Sequence, residues 1–107
     1  MGTTADIQII DRFNVSGRRF SLTHDYNDDS RSVIDEEGKA LLRFDSSCGV
    51  HQGNKKIGTL SSRDDVWSFE PFSETGLGKF VTSQPLRDYH WVNLQKAEIE
   101  VAQHLLM

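Results

Sequence analysis

The stretch that decides the fold is the last one, "SQPLRDYHWVNLQKAEIEVAQHLLM", residues 83–107. Everything before it is short apolar runs broken by turn residues; here the period changes. At 100° per residue, Trp91, Val92, Leu94, Ala97, Ile99, Val101, Ala102, Leu105 and Leu106 fall on one broad arc. Asn93, Lys96, Glu100, Gln103 and His104 fill the narrower remainder. The pattern predicts an amphipathic helix over about residues 85–106, with Ser83 or Asp88 as its cap and Pro85 in its first turn. The arc is wider than a helix needs to cover one flat sheet.

Working back from that helix, residues 5–83 read as strands. In "VHQGNKKIGTL", residues 50–60, Gly53-Asn54 is a two-residue turn whose backbone matches strand twist. "RRFSLTHDY" alternates, placing Phe20, Leu22 and His24 on one face. "EEG" at 36–38 is a second turn, Ser16-Gly17 breaks the first run, and "VWSFEPF" puts Trp67 and Phe69 together before Pro71 edges the strand. Strands followed by one helix imply an α+β domain. The expectation is an antiparallel meander of about six or seven short strands, curled into a half-barrel, with the C-terminal helix packed on it. In order and size this is similar to pleckstrin-homology domains. The basic residues of "RFNVSGRRF" are not spaced as that family's phosphoinositide motif requires, and architecture alone assigns no function.

At 107 residues the chain reads as a single domain, 1–107, able to fold without staples. Its net charge is −4, from 16 acids against 12 bases, which argues against nucleic acid as a partner. No apolar run is long enough to span a bilayer, and the first residues lack the pattern of a secretory signal. The single cysteine, Cys48, cannot close an internal disulfide. These features suit a cytoplasmic protein with no membrane association.

Residues 25–36, "DYNDDSRSVIDE", raise the question of metal. Asp25, Asn27, Asp29 and Glu36 occupy four ligand positions of a helix-loop-helix calcium motif. Ser30 stands where that motif needs glycine, Ser32 where it carries an apolar residue, and the preceding segment alternates like a strand. A solvated acidic turn is the reading these departures favour, leaving a weak calcium candidate and no metal or cofactor requirement.

Other chemistry is sparse. Cys48 and His51 sit three residues apart and could form a nucleophile–base pair, against the plainer reading of a half-buried thiol in a turn. No two histidines have helical metal spacing, and no phosphate loop or hydrolase elbow is present. Gln95 and Glu98 fall inside the apolar arc. A carboxylate there must either pair, with Arg43 or Arg87 as candidates, or reach water at the arc's edge, the reading preferred from sequence.

The leading expectation is a non-enzymatic protein-interaction module, in an inhibitor- or immunity-like role. Trp67, Tyr89, His90 and Trp91 are its candidate contact residues. Asp28 and Asp29 would steer a basic partner, and a homodimer is the other occupant considered. The alternative is a binder of a small anion through Arg12, Arg18 and Arg19. An enzyme without a recognisable motif comes third.

Overall fold

The computed structural model describes residues 7–63, 66–85 and 90–107, without the side chains at 63, 83–85 and 90–93. Eight strands follow one another: β1 Ile7–Val15, β2 Arg18–Asp25, β3 Ser30–Ile34, β4 Ala40–Phe44, β5 Gly49–Gln52, β6 Lys55–Arg63, β7 Val66–Pro71 and β8 Phe80–Pro85. A short 3-10 helix, Ser73–Thr75, precedes β8, and helix α1, His90–Leu105, ends the fold. Every strand pairs antiparallel with its neighbours in sequence, giving one sheet in the order β1 to β8.

The meander class is as the alternation indicated, with one or two strands more than expected. At four residues, β5 is the shortest of the eight. The boundary of the helix also moves. Ser83 and Pro85 belong to β8, so neither caps α1, and Pro85 closes an edge strand opposite Val66, where its missing N–H costs no interior ladder bond. Asp88, the other proposed cap, lies outside the described residues.

The turns follow local chemistry. Ser16 and Gly17 both take positive φ, 50° and 82°, and make the tight β1–β2 reversal. The β4–β5 turn places Cys48 at φ 66°, a position glycine usually fills. Pairing shifts register at Ile9/Asp11, Val33/Ile34, Val50/His51 and Val66/Ser68. Bulges of this kind bend strands and add twist, which curls the sheet.

On the concave side Phe20, Leu22, Val33, Leu42, Phe44, Val50, Leu60, Trp67 and Phe69 are buried. The two edge strands do not pair with each other. Helix α1 lies against β7, β8 and β1 and fills the gap between the edges. It does so with small residues: Ala97, Val101 and Ala102 are completely buried, and short side chains let a helix approach closely. Phe80 of β8 stacks on His104 at 4.4 Å, and Gln103 donates to the Asn14 carbonyl of β1 at 3.4 Å. The helix thus touches both edges of the sheet.

Candidate functional site

The arc's one carboxylate is the strongest electrostatic feature of the core. Glu98 is 1% exposed, and Arg31 Nε donates to both its carboxylate oxygens, at 2.6 and 2.8 Å. This corrects the expectation that Glu98 reaches water, and the partner is neither Arg43 nor Arg87. Arg43 faces the convex side, opposite Ser32 and His51; Arg87 is not among the described residues. The missed signal was strand parity: Arg31 shares its face with Val33, which is completely buried, so a strand over 30–34 points Arg31 inward. Burial pushes the Glu98 carboxyl up to about 7, even though Arg31 favours its ionised form.

Above this pair lies a cleft of about 280 Å³, lined by His24, Tyr26, Arg31, Leu94 and Gln95. The His24 and Tyr26 rings stack at 4.2 Å, 3° from parallel. His24 Nε2 meets Asp29 Oδ1 at 3.3 Å, and Arg31 Nη1 donates to the Asp29 carbonyl at 3.3 Å.

The segment tested for calcium is a turn. Asp25 Oδ1 accepts the Asn27 N–H, Asp28 Oδ1 accepts the Ser30 N–H, and the Asp29 N–H returns to the Asp25 carbonyl. Asp29 takes φ 58°, a conformation Asp tolerates better than most residues. The Ser30 hydroxyl and N–H hold the Asp28 carboxyl below its ordinary range. Glu36 belongs to the next turn, separated from Asp25, Asn27 and Asp29 by all of β3, a five-residue strand spanning roughly 17 Å. The four oxygen ligands therefore do not converge, and the described residues hold no cluster suited to a metal ion.

Cys48 and His51 do not form a pair either. His51 Nε2 meets Asp45 Oδ2 at 2.7 Å on the convex side, while Asp45 Oδ1 accepts the N–H groups of Ser47 and Gly49. Burial opposes ionisation of Asp45, but the bonds from His51, Gly49 and Ser47 outweigh it and bring the carboxyl down to about 2. The Cys48 thiol packs against the core. Burial first, then the nearby Glu98 charge, pushes its pKa up, the opposite of an activated nucleophile. Gly49 leaves room for this arrangement: a Cβ there would crowd Asp45 Oδ2 and displace the carboxylate that His51 holds.

The candidate contact residues are dispersed. Trp67 is 3% exposed, so its proposed interface role is corrected: it fills the core beside Phe69. Tyr89 lies outside the described residues; His90 and Trp91 begin α1, with no description of their side chains. Asp28 and Asp29 are exposed at the tip of the β2–β3 turn. Exposed apolar residues that sequence reading did not single out include Ile7 (46%) and Ile9 (48%) on edge strand β1, with Tyr26 (53%) in the following β2–β3 turn, and, elsewhere, Leu77, Val81 and Met107. Ile7 stands opposite Asp25, which ties this apolar strip to the acidic turn.

The arginines gather around a different concavity, of about 480 Å³. Arg12, Arg19, Phe13 and Phe20 line it, but so do Asp35 and Glu36 of the β3–β4 turn. Arg18 lies next to it, 5.0 Å over the Phe20 ring, with Glu37 completing the rim. Among the described residues no helix is long and apolar enough to cross a membrane. No family model matches the chain, and no match is found among curated proteins or solved structures.

Proposed function

We propose that this chain is a non-enzymatic docking module in which edge strand β1 and the acidic β2–β3 turn receive an extended, basic segment of a partner protein. The observation that carries this reading is the exposure of Ile7 and Ile9 on an edge strand, with Ile7 paired to Asp25 at the start of the turn that displays Asp28 and Asp29. Among the described residues β1 has a strand on one side only, and α1 engages it at Asn14, so the docking edge is the Ile7–Ile9 end. An open edge offers backbone N–H and C=O groups to an incoming strand, and alternate side chains supply specificity. Asp28 and Asp29 add a field that speeds the approach of a basic segment. An inhibitor- or immunity-like mode of action fits a small acidic domain of this shape, and the free thiol of Cys48 suits a reducing compartment such as the cytoplasm.

Immobilised protein exposed to native lysate tests this at low and raised salt, with Ile7→Lys/Ile9→Lys and Asp28→Asn/Asp29→Asn run in parallel. Both variants change exposed side chains, so folding is retained. A basic protein held by the wild type, released by salt and lost from the isoleucine variant supports the proposal. Retention that ignores both variants overturns it. Self-association abolished by the isoleucine variant, seen in sedimentation, identifies a second copy as the occupant instead.

The Arg12–Arg19 concavity favours a second reading, a binder of a small anion. Asp35 and Glu36 in the same wall oppose it, which is why it ranks second. Inorganic phosphate that raises Tm in the wild type but not in Arg12→Ala/Arg19→Ala would promote it.

A further inference from the structure

We propose that the cleft between the β2–β3 turn and α1 binds a flat, uncharged aromatic compound that carries a carbonyl oxygen, such as an aryl amide or an oxo-heterocycle. Its volume of about 280 Å³ suits a single ring with a short substituent. The stacked His24 and Tyr26 rings form one wall, held in place through the contact between His24 and Asp29. Tyr26 is half exposed, so its second ring face is open to stacking. Leu94 supplies apolar contact from the helix.

The polar groups specify the rest. Arg31 commits Nε to Glu98 and Nη1 to the Asp29 carbonyl. Among the described residues its Nη2 donates to nothing, and the Gln95 amide makes no hydrogen bond, yet both residues line the cleft. An arginine donor and a primary amide together match a ligand carbonyl with an adjacent N–H. Above about pH 7, where Glu98 is ionised, it answers the charge of Arg31, and Asp29 stands at the rim, so an anion would meet two carboxylates. A neutral acceptor takes the same donors without that opposition. The cleft is on the concave side, whereas Ile7 and Ile9 point to the convex side, so this proposal and the docking proposal fail separately.

Titration with benzamide, followed in backbone amide spectra, tests it. The expected result is saturable shifts at Arg31, Leu94 and Gln95 with Kd on the order of millimolar, as suits so small a ligand. Tyr26→Ala should weaken binding about tenfold, and Gln95→Leu by several-fold. Cyclohexanecarboxamide, which lacks a π face, and benzoate, which carries a charge, should both bind more weakly. Absence of saturable shifts, binding unchanged in Tyr26→Ala, or benzoate binding as tightly as benzamide would each overturn the proposal.

Discussion

Glu98 shows how one residue can both shape a core and weaken it. Its carboxyl titrates near 7 in the folded chain and near 4.5 in an unfolded one. Between these values the native state holds a proton that the unfolded chain releases, so stability rises as pH falls from about 7 towards 4.5. The gain has an upper bound of ~3 kcal/mol. Urea midpoints measured across that range should climb on acidification in the wild type and stay level in Glu98→Gln. Asp45 acts in the opposite sense and in a separate window. Its depressed pKa contributes stability above about pH 3.8 that is lost as pH falls towards 2. The ion pair itself calls for a second experiment. Arg31→Met strands a buried carboxylate and should cost about 3–5 kcal/mol. Adding Glu98→Leu removes the stranded charge, so the double variant should be more stable than Arg31→Met alone. A double variant no more stable than Arg31→Met would show that the pair's geometry, rather than its charge, holds the helix.

At the scale of elements, what sequence made legible was local. Gly53-Asn54 announced the β5–β6 hairpin, and a 3.6-residue period announced α1, because both signals lie within a few residues. The limits of α1 were less legible, since Ser83 and Pro85 satisfy the rules for a helix start as well as those for the end of an edge strand; pairing with Val66 decided it. The Arg31–Glu98 contact was hidden by a separation of 67 residues, although the parity of β3 already pointed Arg31 inward. Close approach between strands was equally invisible. At Gly58, a Cβ would lie 2.5 Å from the Glu70 carbonyl oxygen and 2.7 Å from the Pro71 Cα. Both obstacles are backbone and cannot swing aside. Gly58→Ala should therefore cost roughly 1–3 kcal/mol through forced separation of β6 and β7. Gly78→Ala, with open space around its Cβ, is the control that should leave the denaturation midpoint almost unmoved.

For the whole molecule, the decisive relation is between an open sheet and the helix that closes it. A meander pairs only neighbours, so nothing in the order of its strands joins β1 to β8. The breadth of the helix's apolar arc was the sequence-level sign that it must cover more than one flat surface. The candidate sites were less legible than the architecture, because exposure of Ile7 and Ile9 depends on which strand ends at an edge, and the cleft at Tyr26 depends on where α1 crosses the concave face. If α1 is the closing element, a chain ending after Pro85 loses Ala97, Val101 and Ala102 from the core and leaves Arg31 without Glu98. The remaining strands would expose Phe44, Phe69 and their neighbours along the uncovered gap. The truncated chain should bind a hydrophobic dye such as ANS and lose its cooperative thermal transition, while keeping β-rich far-UV circular dichroism. A truncated chain that melts cooperatively without binding dye would mean that the sheet closes on its own, and the helix would then be a passenger whose broad apolar face needs another explanation.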